Sequence, residues 1–356
     1  MNQQFSAPPT QPAKTVSLRN VDPLLLTLPA RARNVKTKIG FEIKSTYGFN
    51  EDQPYVLVGF DFSSQESAYA AMLAASRTNS KLAGEDSFDK ALLVGNKEDG
   101  TDFHSATAKM SGLSRTLQKN LNYSSAYGGK WRSQSKIIAG ARPDLTLKQA
   151  EDLAKKANSA FVGKKDRTTG LYKGGIASNY FNFNVCNIES GKPKVPVFGT
   201  PYPRSLQPDY NNKINSGTPA ANNASIQSGC ANAGMLSLIL LYIDKQIEDA
   251  GISEYTRYAV SIHDENHYIC HEDYTEQLAK CMVRAHAQMW AYFAYRLNLM
   301  DYPIQRLFFD ITIDVSKILR KEANQKIKTA TFSYEEMGYQ YYVSRKTGKL
   351  TRRDFN

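Results

Sequence analysis

The chain's apolar residues follow two periods, one suited to strands and one to helices. The largely apolar run Tyr55-Val-Leu-Val-Gly-Phe-Asp-Phe follows Asp52-Gln-Pro and has the length of a buried strand. The alanine-rich segment Gln65–Ser76 continues from it as a helix. Residues 95–102 read as a loop, and a helix is predicted over Phe103–Met110. Ser114 can cap the next helix, from Arg115 to Tyr127, which Gly128-Gly129 stops. Leu145–Phe161 predicts another helix with Lys and Arg interleaved. Residues 163–224, rich in Gly, Pro, Asn and Lys, predict irregular chain with short strand-like pieces such as Val195-Pro-Val-Phe. Ser225 to about Ala250 predicts one long helix ending at Gly251. Tyr258–Cys270 reads as a β-hairpin whose arms flank His263-Asp-Glu-Asn, and Tyr274–Leu297 as a long helix. Residues 344–353 predict a basic tail, and no internal repeat is present.

Composition narrows the partners. The 356 residues are 41% hydrophobic, enough for a sizeable core and for about two domains. Lys and Arg number 45 against 34 Asp and Glu, a net charge of +11 that points to an anionic partner. No run approaches the roughly 18 apolar residues of a membrane span; the longest, Met235–Ile243, is broken by Ser237. Cys186, Cys230, Cys270 and Cys281 form no Cys-x-x-Cys pair, which argues against a disulfide framework or zinc ribbon and for a reducing compartment. Residues 1–20 lack acids and carry Pro8, Pro9 and Pro12, as a loosely packed leader would.

Three stretches carry chemistry. Asp61, at the end of an apolar strand, is where a metal-binding carboxylate is held rigidly; an Asp there can also cap the following helix. Arg115, Lys119, Tyr123 and Tyr127 recur at spacing four, so two cations and two rings share one helical stripe. A nucleoside triphosphate needs cations for its phosphates and a flat surface for its base; an exposed basic face gives the same pattern. In His263-Asp264-Glu265 two adjacent carboxylates repel unless a cation offsets them, although an acidic turn also fits. His263, His267 and His271 share zinc-like spacing, but on a strand residues four apart lie about 13 Å apart, too far for one zinc.

Together these stretches resemble, in order, the three signature motifs of family A DNA polymerases: Asp61-Phe-Ser-Ser-Gln-Glu66, then Arg115-x3-Lys119-x7-Tyr127-Gly128, then His263-Asp264-Glu265. The mitochondrial, gamma-type branch is the most similar. Its likeness extends to Val58-Gly-Phe-Asp, Gly100-Thr-Asp-Phe-His-Ser, Asn122-Tyr, Val260-Ser-Ile-His-Asp-Glu and Leu319-Arg-Lys-Glu, from about Ala32 to about Ala323. The resemblance implies an α+β fold, a right-hand palm whose antiparallel sheet is backed by helices, with helical fingers. It implies a leader over 1–30, palm over 31–78, fingers over 79–190, palm again over 191–323 and a basic extension over 324–356.

The same resemblance implies residue roles. Asp61 and Asp264, with the Phe62 carbonyl, would hold two Mg²⁺ ions, with Glu265 accessory to them. Arg115, Lys119 and His104 would hold the phosphates, Lys119 also protonating pyrophosphate, with Gln65 at the incoming nucleotide as well. Tyr123 would stack near the incoming base and Tyr127 lie near the template. Glu66 would crowd a ribose 2′-hydroxyl. Asn223 and Gln227 would contact the primer–template minor groove, Arg204 the primer strand, and His263 the primer terminus. The expected partners are a DNA primer–template, deoxynucleoside triphosphates and a processivity factor, without a membrane.

Only about 60 residues precede Asp61, and no Asp-x-Glu exonuclease pattern appears among them. The expectation is therefore a split enzyme with thumb and exonuclease on a separate polypeptide. Such an enzyme would come from a bacteriophage acting in the cytoplasm of its bacterial host, with the mitochondrion as the alternative. The competing functions are a single-subunit RNA polymerase or primase-like nucleotidyltransferase, which Glu66 disfavours, and a non-catalytic DNA-binding scaffold.

Overall fold

The computed structural model describes residues 47–50, 52–62, 65–76, 95, 99–189, 194–199, 201, 219–230, 234–262, 265–301, 307–308, 311–319, 338–344 and 347–355. The expected leader, Arg204, His263 and Asp264 lie outside these residues. The chain divides into two compact units. One comprises 1–65, 234–291 and 305–356; the other comprises 66–233 and 292–304.

The first is a sheet unit. Its strands are β1 (Tyr55–Phe62), β4 (Thr256–Ile262), β5 (Glu265–His271), β6 (Ile311–Ser316), β7 (Tyr339–Val343) and β8 (Leu350–Asp354), in the order β4-β5-β1-β6-β7-β8. Every neighbouring pair is antiparallel. Directly opposed residues share a face, so register sorts the side chains. Val58, Phe60, Tyr268, Cys270, Ile313, Val315 and Tyr341 occupy one face and are buried. Helix α9 (Thr275–Arg296) covers that face within this unit: the His286 ring lies 5.6 Å from Phe62, and Tyr339 donates to Thr275. Trp290 Nε1 donates to His286 Nε2, so the buried imidazole serves as an acceptor, and burial pushes its pKa down to about 3. Helix α8 (Met235–Asp249) packs beside α9, Cys281 Sγ donating to the Gln246 carbonyl. At 15 residues α8 is shorter than the roughly 20 of a bilayer span, and its Leu236, Ile239, Ile243 and Ile247 are buried.

The second unit is helical: most of α1 (Gln65–Ala75), then α2 (Phe103–Ser111), α3 (Arg115–Ala126), α4 (Trp131–Ala141), α5 (Leu147–Val162), α6 (Ser178–Glu189) and α7 (Pro219–Cys230). A small hairpin, β2 (Lys164–Lys165) and β3 (Tyr172–Lys173), completes it. Ser114 caps α3 by accepting from Leu117 N, and Thr146 with Gln149 forms a capping box on α5. Leu113, Leu117, Leu121 and Ile138 pack against Ala150, Ala154 and Ala157, whose small side chains let α5 approach closely. Burying Ile138 completely contributes about 2 kcal/mol.

Four expectations change. The single helix from Ser225 becomes α7 and α8, because Gly234 leaves the helical region at φ −142° and ψ −115°. Helices α4 and α6 fill stretches read as unassigned or irregular. Pro196–Phe198 is a turn, not a strand. The end of the basic tail, from residue 350, is strand: β8 pairs with β7, and both extend the sheet.

Candidate active site

In the sheet unit Asp61 stands directly opposite Glu265. It lies in β1, four residues before α1 begins, too far back to cap that helix. Backbone pairing thus fixes two carboxylates on one face, at a Cα separation of about 5 Å. Glu265 is buried, and His267 Nε2 approaches its Oε2 at 3.3 Å. Gly59 makes room for that imidazole, since a Cβ there would lie 2.4 Å from His267 Nδ1. The opposed carboxylates of Asp61 and Glu265 are oxygen donors, which suit a hard divalent cation. Among the described residues no three His, Cys, Asp or Glu side chains cluster for a metal. His267 and His271 lie on strand β5, which separates them too far to share a zinc ion. Gln65 is 2% exposed and donates to Met235 Sδ at 3.2 Å, within the core of this unit.

In the helical unit the spacing-four stripe forms as predicted. Lys119 Nζ lies 5.9 Å from the Tyr123 ring centre, and Tyr123 stacks on Tyr127 with 24° between their planes. Asp102 caps α2 and takes a bidentate pair from Arg115: Nη2 to Oδ1 at 2.9 Å and Nε to Oδ2 at 3.1 Å. Burial alone would raise the Asp102 pKa. Its bonds from Arg115 and Ser105 outweigh that and hold it at about 2. The His104 pKa falls to about 3, first because the ring is buried and second because Arg115 is near. His104 is therefore neutral at pH 7. Asn122 Nδ2 lies 3.1 Å from its Nδ1 and 2.8 Å from Thr107 Oγ1. An amide donor at Nδ1 selects the tautomer whose proton sits on Nε2, leaving that N–H as the ring's donor.

Glu66, Tyr127 and Gln227 meet in this unit. Tyr127 OH donates to Glu66 Oε2, and Gln227 Nε2 donates to Oε1 at 2.9 Å. Glu66 and Tyr127 border a small pocket lined also by Phe103, Asn122 and Tyr123. Helix α7 carries Asn223, whose side chain is outside the described set. Sequence reading missed Asp102 as the Arg115 partner. Its Asp-Phe-His-Ser context signals a helix cap, but a pairing 13 residues away has no local signature.

No family model matches the chain. It is 28% identical over 325 residues to the mitochondrial DNA polymerase gamma of Neurospora crassa, an alignment covering 90% of this chain and 21% of that protein. It is 28% identical to DNA polymerase gamma of Saccharomyces cerevisiae, covering 89% of this chain and 24% of that one. It is 26% identical to DNA polymerase subunit gamma-1 of Gallus gallus, covering 89% and 55% respectively. The chain thus spans less than a quarter of the length of the Neurospora and Saccharomyces proteins. Among solved structures, the POL domain of Pol1 from M. smegmatis, in complex with DNA primer-template and dNTP, matches with a TM-score of 0.55 at 16% identity. That match covers 87% of this chain and 47% of that one. The resemblance to gamma-type family A polymerases therefore runs along nine-tenths of the chain, and the fold is that of a polymerase POL domain, an antiparallel sheet backed by helices.

Proposed function

We propose that the chain is the catalytic palm-and-fingers portion of a template-directed DNA polymerase, adding deoxynucleotides to a primer 3′-hydroxyl. One observation carries this reading: the β1–β5 register sets Asp61 opposite Glu265 on a polymerase-type sheet.

Asp61, Asp264 and the Phe62 carbonyl would hold Mg²⁺. When bound, the metal lowers the pKa of the primer hydroxyl and neutralises charge on the leaving pyrophosphate. Glu265, braced by His267, keeps negative charge beside that pair. In the helical unit Lys119 offers a cation to the triphosphate and a proton to the departing pyrophosphate. Arg115 is braced by Asp102, and His104 serves as a neutral donor through Nε2–H, giving direction without added charge. Tyr123 supplies the flat surface for the incoming base. Glu66 is fixed by Tyr127 and Gln227, and a carboxylate held from two sides excludes a 2′-hydroxyl better than a mobile one.

Primer extension with Mg²⁺, comparing the chain with Asp61→Asn and Asp264→Asn, tests the reading. Each variant should lose on the order of a thousandfold or more, with secondary structure unchanged. Extension retained by either variant overturns the two-metal role, and a wild-type preference for ribonucleotides would redirect the reading to an RNA polymerase.

A further inference from the structure

The carboxylate face of the sheet does not end at β1. Following the register outward, Asp61 opposes Thr312, Thr312 opposes Tyr342, and Tyr342 opposes Thr351. One step along the strands, Gly59 opposes Asp314, Asp314 opposes Gln340, and Gln340 opposes Arg353. Opposed residues share a face, so Gln340, Tyr342, Thr351 and Arg353 stand on the same side of the sheet as Asp61. None of the four is buried, and Arg353 is exposed. The other side of the hairpin is buried at Tyr341 and Val343.

The two adjacent arginines of β8 have separate occupations. Arg352 pairs with Asp354 at 2.6 Å and lies 3.7 Å over the Tyr339 ring. Arg353 lies 4.9 Å over the Tyr342 ring, on the carboxylate side. Asp314, the acid on that side of the row, accepts from Gln340 Nε2 at 3.0 Å. The segment 339–355 carries Arg345, Lys346, Lys349, Arg352 and Arg353 against Asp354 alone, an excess that favours a polyanion. Three strand spacings separate β1 from β8, about 14 Å. A duplex strand advances about 3.4 Å per nucleotide, so that distance matches about four nucleotides and exceeds the reach of a single triphosphate.

We propose that the β7–β8 hairpin is a DNA-backbone clamp: Arg353, its guanidinium steadied on Tyr342, binds a phosphate of the primer–template about four nucleotides from the carboxylates. This rests on the polymerase reading and extends it to a segment that the three signature motifs do not include.

The test measures primer–template affinity of the full chain by fluorescence anisotropy across a salt series, alongside the KM for a deoxynucleotide. Losing one phosphate contact reduces the slope of log K against log salt by about 0.9. Arg353→Gln should therefore lower the slope by about one and weaken binding about fivefold at moderate salt, with the nucleotide KM unchanged. Arg353→Lys should restore the slope, and Arg352→Gln should leave it alone. An unchanged slope in Arg353→Gln, with salt-dependent binding by the wild type, overturns the clamp alone. An equal loss in Arg352→Gln also overturns it. A raised nucleotide KM with DNA affinity intact assigns the anion to the nucleotide and overturns the DNA contact. A wild-type chain that binds no primer–template removes the polymerase reading and the clamp together.

Discussion

The sheet unit positions its charged groups with backbone, and the helical unit positions them with side chains. Asp61 and Glu265 face each other because β1 and β5 pair in one register; a one-residue slip would turn both to the opposite face. Side chains instead hold Arg115, through Asp102, and Glu66, through Tyr127 and Gln227, while His104 ends a chain of bonds through the core of the helices. Ser111 donates to Gln118, Gln118 Nε2 donates to Asn122 at 2.7 Å, and Asn122 reaches His104 and Thr107. Ser125, Gln134 and Asn158 continue this polar core. A ladder tolerates the loss of any one side chain. A buried polar network does not, because every missing partner strands a desolvated group. The difference separates carboxylates that must stay rigid from groups whose precise donor pattern matters.

The largest effect should come from cutting the network. Asn122→Leu strands Gln118 Nε2 and His104 Nδ1, and should cost about 3 kcal/mol in denaturant unfolding. A loss below about 1 kcal/mol would mean that apolar packing, not the network, holds the helices. A smaller effect is expected in the sheet unit. Gly59→Ala drives a Cβ into the His267 ring and should cost about 2 kcal/mol. Because the ladder survives, amide exchange in β1 should remain slow; rapid exchange there would show that side-chain packing carries the register after all.

The gentlest probe is pH. His104 titrates near 3 folded against 6.5 unfolded, so between those values the unfolded chain takes up a proton that the folded one refuses. Stability therefore falls as pH drops from about 6.5 toward 3. His286 gives the sheet unit the same sign over the same window. Asp102, near 2 folded against 3.8 unfolded, adds a stabilisation present above 3.8 and lost between 3.8 and 2, in the helical unit alone. Hydrogen exchange resolved to α3 and β1 should show both weakening below 6.5. His104→Gln should flatten the response of α3 only; a matching change in β1 would break the distinction.

Much of this was legible where one local rule governed. The β1 run, the spacing-four stripe on α3 and the β4–β5 hairpin each follow from a single period, and Asp61, Lys119, Tyr123 and Tyr127 came with them. The break between α7 and α8 was hidden because an apolar stretch masks one non-helical glycine. Strand β8 was hidden by its charges. Arg352 and Arg353 read as part of a basic tail, while the pairing that makes them strand lies with β7. The Asp102–Arg115 pair and the Asn122 network join residues 13 to 18 positions apart, beyond any local pattern.

Strand β8 also closes an open edge. Without β7 and β8, β6 would end the sheet, and its Ile311, Ile313 and Val315 would present an apolar template with unsatisfied amides. With the hairpin in place the outermost strand reads Leu-Thr-Arg-Arg-Asp, whose charges repel a second copy of the same edge. The hairpin thus replaces an apolar edge with a charged one, which resists pairing with a second strand.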